Sequence, residues 1–444
     1  MSENTSEEDL ITLASYPRAI AHIDCDAFFA SCEQAKDPAL KGRPLVTGKE
    51  RGIIACASYE AKARGVTRGL RLSEARSRCP ELVVLPSDYE TYSIYSERVF
   101  AIIRRFTPEV EEFSIDEAYA DLTGLRRLYR ASYEKIARDI QEAVHHELGI
   151  TVSVGLSLTK TLAKICSKHK KPNGLTAVPG YALHEFLRPL PLEKVCGFGP
   201  NTVALLNKYG VRTIREYVER PSSFAQRALG KIGIDLWREL RGIPSYPIVS
   251  RKKEKQLSLG RTKTFSPASG VRAIVKAHLM RNLESAFIAL RRNSLSARSL
   301  TVYLRTRDFH DIAMTGELDR HSAATLDFTR LCGEVFERLF REGCCYRSTG
   351  VILSEITAQG VDALTLFDDP AVVKKISDIS CAVDLINKRY GKYAVHLAST
   401  GPAIVAGSAT SPRNEETWRK RTVLKGETRR RRLGLPLLKS GNRV

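Results

Sequence analysis

Several things are missing from this chain, and each absence narrows what it can be. No apolar run approaches the roughly 20 residues that cross a bilayer. The amino terminus, MSENTSEEDL, is polar and acidic, without the basic and apolar regions of a secretory signal. Both absences point to a cytoplasmic protein with no membrane partner. The ten cysteines include no C-x-x-C pair, and adjacent Cys344 and Cys345 lack metal-ligand spacing. Cys25, Cys56 and Cys166 sit in apolar runs, as small hydrophobic residues do, so the thiols read as reduced. No internal repeat is present. Acidic residues are in deficit: 50 Asp and Glu stand against 70 Lys and Arg, a formal charge of +20 over 444 residues. A surplus of that size, spread over most of the chain, favours a polyanionic partner, with nucleic acid the first choice.

What is there suits a multidomain α/β (α+β) protein. The length allows two to four domains, and 43% hydrophobic content is enough for packed cores. From 19 to 180, short apolar runs (AIAHIDCD, RPLVTG, GIIACAS, LVVLP, VEEFSIDEAYADLTG, ITVSVGLS) read as strands. SEARSRC, YSIYSERVFAIIRRF and RLYRASYEKIARDIQEAVHHEL between them read as helices. Residues 181 to about 246 change to short helices punctuated by Gly and Pro, and SRKKEKQ, 250–256, has the charge and aperiodicity of a linker. A second α/β module runs from 257 to 357, followed by one more helical run, AVVKKISDISCAVDLINKRYG. From Arg413 to Val444 there are 11 basic and 3 acidic residues, the composition of a disordered tail adhesive to polyanions.

The stretch AHIDCDAFFAS, 21–31, reads as a buried strand and yet contains Asp24 and Asp26. An unpaired buried carboxylate costs several kcal/mol, so something positive must be near. A second acidic pair, Asp116 and Glu117, falls at the turn of a hairpin in EVEEFSIDEAYADLTG. Carboxylates converging from distant strands are what a hard divalent cation takes, and two such ions can run an in-line phosphoryl transfer. The reading requires Asp24 to meet the 116–117 corner, with no salt partner closing the gap between them.

Together these segments carry a resemblance. HIDCDAFFAS, GIIACASYEAKARGV, SIDEAYADLTG, SVGLSLTKTLAKICSKHKKPNG and LEKVCGFGPNTVALLNKYGV are similar, in order and spacing, to the Y-family DNA polymerases of the DNA polymerase IV type. The resemblance covers about 19–215 and continues more weakly to 357. It implies a right-hand polymerase: an N-terminal tail (1–18), a palm (19–27 and 89–180), fingers (28–88), and a helical thumb with a helix-hairpin-helix (181–249). A linker (250–256), an α/β little finger (257–357), a clamp-motif segment with a helix (358–404) and a basic tail (405–444) complete it.

By the same resemblance Asp24, Asp116 and Glu117 are catalytic metal ligands for two Mg²⁺ ions, helped by the main-chain carbonyl of Cys25. Asp26 is not a ligand and is expected to be satisfied by local hydrogen bonds. Phe29 becomes a steric gate under the sugar, rejecting a 2′-hydroxyl by overlap. Tyr59, Lys62 and Lys164 become triphosphate contacts. Lys62 stands where the family usually has Arg, losing two-pronged bonding, and Cys56 stands where a hydroxyl residue is common.

Gly197 and Gly199 would let a hairpin approach a DNA phosphate, with a helix N-terminus behind. Arg261 and Lys263 are candidates for backbone contacts in the little finger. DALTLFDD, 362–369, looks like a short sliding-clamp motif with Leu364, Leu366 and Phe367 as anchors, although Asp362 replaces the usual Gln. QLSLG, 256–260, resembles that motif too, but reads as a strand. The implied function is template-directed, low-fidelity translesion synthesis by a monomer acting on primer-template DNA and deoxynucleoside triphosphates. The alternative is a non-catalytic adaptor of polymerase architecture that binds DNA and clamp, and it is disfavoured because all three acidic residues are present.

Overall fold

The computed structural model describes residues 15–250, 257–359, 368–391 and 393–403. The chain divides between Lys252 and Lys253 into two compact units.

The first unit begins with β1 (Ile20–Cys25), whose six residues are all buried. The strand stops there because Ala27 takes a left-handed conformation (φ 45°), and α1 (Phe28–Lys36) starts immediately. AHIDCDAFFAS is therefore half strand and half helix, and Asp26 sits in the turn. The small pieces that follow are β2 (Leu45–Thr47), β3 (Cys56–Ala57), α2 (Tyr59–Ala63), α3 (Leu72–Arg78) and β4 (Val83–Leu85). They form a three-stranded sheet, β3-β2-β4, with its own core around Val46, Ile54, Ala61 and Leu82. GIIACAS thus supplies only two strand residues.

Next come α4 (Tyr89–Arg104), β5 (Val110–Glu112), β6 (Glu117–Asp121), α5 (Leu125–Tyr129) and α6 (Tyr133–Leu148). The continuous helix expected over 127–148 is broken, because Arg130 is left-handed (φ 48°) and Ser132 caps α6 by accepting from the Lys135 N–H. Then β7 (Val152–Ser157), α7 (Lys160–His169) and β8 (Leu175–Ala177) complete a five-stranded sheet of order β5-β6-β1-β7-β8. Its apolar core packs Ile23, Val99, Ile103, Ile140 and Val152 together.

The helical part of this unit has α8 (Leu183–Leu187), α9 (Pro200–Lys208), α10 (Ile214–Val218) and α11 (Ser222–Leu240), packed about Leu187, Leu206, Tyr217 and Trp237. α11 starts nine residues before the run KIGIDLWRELRG and is kinked at Gly230.

In the second unit, β9 (Ser258–Ser269), α12 (Arg272–Arg292), β10 (Leu295–Thr306), β11 (Asp311–Ser322), α13 (Thr325–Leu339) and β12 (Tyr346–Ser354) form a sheet of order β11-β10-β12-β9. Leu283, Phe287, Val302, Phe328, Phe336 and Val351 make its core. β13 (Thr357–Ala358) pairs with β10. The last α-helix among the described residues, α14 (Pro370–Tyr390), is held on this unit by a two-pronged Arg291–Asp384 pair at 2.7 and 2.9 Å.

Candidate active site

The register of one strand pair assembles the acidic site. In the antiparallel β1–β6 pairing Asp24 lies opposite Glu117, and residues opposite each other share a sheet face. The Cys25 N–H donates to the Asp116 carbonyl at 2.9 Å, so the turn bearing Asp116 is tied to the end of β1. The hairpin expected at SIDE is there: the N–H groups of Phe113 and Ser114 both donate to the Glu117 carbonyl, at 3.0 and 3.1 Å.

Each carboxylate has its own environment. Asp24 is 6% exposed, and burial, opposed by Lys171 and reinforced by the charges of Glu117 and Asp116, lifts its pKa from 3.8 to about 6. Glu117 is half-buried. Burial would raise its carboxyl, but the His22 ring facing it and the hydrogen bond and charge of Lys164 hold it well below the usual range. Asp116 receives the Ser114 hydroxyl. Asp26, 1% exposed, is satisfied by the Ser153 hydroxyl and the Asn173 N–H, both at 2.7 Å. Its partners are thus distant in sequence rather than local.

Two lysines supply positive charge here. Lys171 pairs with Asp24 and lies 3.8 Å from Asp26. Lys164 pairs with Glu117 at 2.7 Å, and its ammonium stands 4.4 Å from the centre of the Phe113 ring. Each lysine serves one side of the acidic group, and among the described residues no ion pair joins Asp24 to Glu117 or Asp116 through a shared cation. Among those residues, too, no three His, Cys, Asp or Glu side chains are gathered into a ready metal cage. The donor set nonetheless suits a hard cation: three carboxylates, buried or half-buried, of which Asp24 is raised chiefly by burial and further by the charges of Glu117 and Asp116, even with an ammonium beside it.

α7 brings both Lys164 and Ser167 to this place. It packs hard on β7, since a Cβ on Gly155 would lie 2.0 Å from the Ala163 carbonyl oxygen and 2.2 Å from the Ser167 nitrogen. Lys171, on the loop beyond α7, is the neighbour of Asp24 that sequence reasoning passed over. Its only signal was a place in the run KHKKPNG, three residues of which are lysine.

Phe29 lies half-buried and flat on Tyr92, with ring centres 4.4 Å apart and planes 12° apart, and Tyr89 meets it edge-on at 5.6 Å. Tyr92 is anchored by donating to Glu33 at 2.9 Å. Phe28, by contrast, is a 3% exposed core residue. The Tyr59 hydroxyl reaches Asp26 at 3.4 Å, and exposed Lys62 folds over the Tyr59 ring at 4.1 Å. Cys56 is half-buried, and burial raises its thiol pKa.

The remaining candidates are scattered. Gly197 has φ 108°, which a side chain resists, while Gly199 has an ordinary backbone and open space where a Cβ would be. Ahead of them stands a single 3-10 turn, Leu192–Lys194, rather than an α-helix, and α9 follows. Arg261 and Lys263 lie on edge strand β9, in the alternation of buried Leu259 and Phe265, so they leave the sheet on its helix-covered side. Of QLSLG, Ser258, Leu259 and Gly260 lie in this strand, and Gln256 is outside the described residues. Leu364, Leu366 and Phe367 lie outside the described residues, as do the basic tail and most of the linker.

Comparison with known proteins places the whole. The model of the impB/mucB/samB family matches residues 23–168, and that of its C-terminal domain matches 256–366. DNA polymerase IV from Streptococcus pyogenes serotype M1 is 32% identical over 351 residues, covering 78% of this chain and 96% of that protein. The serotype M6 protein gives the same figures: 32% over 351 residues, 78% and 96%. A solved Y-family DNA polymerase chimera of Dbh and Dpo4 superposes with a TM-score of 0.66 at 25% identity, covering 77% of this chain and all of the chimera. Fold and sequence together define a DNA-directed DNA polymerase, a nucleotidyltransferase. The chain belongs to the Y family, the translesion polymerases, and within it to the DNA polymerase IV type. Among the described residues no helix is long and apolar enough to cross a membrane.

Proposed function

We propose that this polymerase extends a primer 3′ end by two-metal phosphoryl transfer, with Asp24, Asp116, Glu117 and the main-chain carbonyl of Cys25 as the residues that would hold two Mg²⁺ ions. Those ions supply activation of the 3′ hydroxyl and neutralisation of the charge on the transferring phosphate. The observation that carries the reading is the β1–β6 register that sets Asp24 opposite Glu117, with Asp116 bound back to Cys25.

The chain's own residues do the orienting. Lys171, 22% exposed at its side chain beside Asp24, is placed to turn from that carboxylate toward an incoming triphosphate. Tyr59 and Lys62 contact the triphosphate from α2. Lys164 shares the site's positive charge but is committed to Glu117 in the arrangement seen. Phe29, fixed in height by Tyr92, closes the space a ribose 2′-hydroxyl would need. The hairpin at Gly197 and Gly199 grips a DNA phosphate, and Arg261 and Lys263 add backbone contacts from the edge of β9. The segment bearing Leu364, Leu366 and Phe367 docks on a sliding clamp, and the polymerase works as a monomer.

Primer extension with purified protein tests the reading. Asp116→Ala and Glu117→Ala are each expected to lower incorporation by about 10³-fold or more with primer-template affinity kept within about twofold. Full activity in both variants would overturn the metal assignment.

A further inference from the structure

His22 is the one fully buried histidine of the first unit's sheet, and the mechanism above gives it no task. It is 0% exposed, lies on β1 two residues before Asp24 and on the same face, and pairs across the sheet with Tyr119. Its Nδ1 is 2.7 Å from the Ser167 hydroxyl of α7. Its Nε2 is buried without a hydrogen-bond partner and faces Glu117 Oε2 at 3.9 Å.

Lys164, from the same helix, also addresses that oxygen, at 2.7 Å. Among the described residues, every hydrogen bond and ion pair of the Glu117 side chain goes to Oε2, which leaves Oε1 for whatever Glu117 ligates. We infer that Ser167 and His22 form a positioning pair for Glu117: Ser167 donates to Nδ1, Nε2 then carries the proton, and its N–H directs Oε2 away from the metal side. The inference rests on Glu117 being a metal ligand.

The direction of the relay follows from charge. The single Ser167 proton can go to the Lys164 carbonyl, 3.0 Å away, or to His22 Nδ1. Donation to the carbonyl would leave a bare Nε2 lone pair against a carboxylate. Donation to Nδ1 instead turns an N–H toward that carboxylate, the arrangement by which an outer group orients a ligand and holds its lone pairs in place.

The test uses the full chain with a dideoxy-terminated primer-template, a matched deoxynucleotide and Mn²⁺ as the probe, bound metal being counted by electron paramagnetic resonance. His22→Leu is expected to weaken Mn²⁺ binding about tenfold with DNA affinity unchanged, and His22→Gln, which keeps a donor at the place of Nε2, to restore most of it. ¹⁵N spectra of histidine-labelled wild-type protein should show His22 as the Nε2–H tautomer, a readout that survives if the leucine variant fails to fold. Unchanged Mn²⁺ affinity in His22→Leu, equal loss in His22→Gln, or an Nδ1–H tautomer would each overturn the inference. Glu117→Ala separates the two levels: if it too leaves Mn²⁺ affinity intact, the metal reading itself falls, whereas if only His22→Leu does so, the positioning role alone falls.

Discussion

Asp24 and Glu117, far apart in the chain, face each other across adjacent antiparallel strands, and each is held by a different lysine, Lys171 and Lys164. Among the described residues no ammonium is shared between the two carboxylates, and the two lysines are therefore separable by mutation.

Lys171→Met should raise the KM for deoxynucleotides about tenfold, the scale of one hydrogen bond to a charged group. The metal requirement should move little. Lys164→Met should do the reverse, raising the half-saturating Mg²⁺ concentration while KM changes less. Steady-state insertion kinetics at varied nucleotide and varied Mg²⁺ distinguish the two. Identical profiles would show that the lysines do not divide the work.

Phe28 and Phe29 are neighbours with opposite expectations. Phe29→Ala should cut the preference for deoxy- over ribonucleotides by about 10²-fold and leave the fold intact. Phe28→Ala should cost about 3–5 kcal/mol of stability through a core cavity while sugar selection stays as it was. Competitive incorporation assays and denaturant melts read these effects, and unaltered sugar selection in Phe29→Ala would remove the gate.

The Asp24 carboxyl has a pKa of about 6 in the folded protein against an ordinary 3.8. Because the folded value is the higher one, folding favours the protonated acid. Its contribution to stability is best below about pH 4 and falls as pH rises through 6. Without divalent ions, Asp24→Asn should therefore be more stable than the wild type at pH 8, by at most about 3 kcal/mol. The difference should shrink toward pH 4. Melting curves in chelator across that range check the sign, and a variant less stable at pH 8 would contradict the burial penalty.

If Arg261 and Lys263 contact the DNA backbone, replacing both by alanine should reduce the slope of log affinity against log salt by about 2. An unaltered slope would mean that their position on the helix-covered side of β9 keeps them off the duplex.

Much of the fold is legible in the linear pattern. The hairpin across 110–121 shows through its alternating apolar residues and polar turn, and α12 and α14 through long helical periodicity. β11 is hidden, since DIAMTGELDRHS is mostly polar and only Ile312, Met314 and Leu318 pack inward. The break between α5 and α6 is hidden as well, because helical spacing continues through Arg130 and only a left-handed residue and a serine cap interrupt it.

The acidic residues, their order along the chain and the family to which they belong were determined by the sequence alone, since residue types and spacing are local properties. Only the tertiary structure decided that Lys171 meets Asp24, that Lys164 and His22 converge on one oxygen of Glu117, and that Asp26 is satisfied by Ser153 and Asn173. Those partnerships depend on strand register and on how closely α7 settles over Gly155. Both are set by the packing of segments distant in sequence, which no local pattern records.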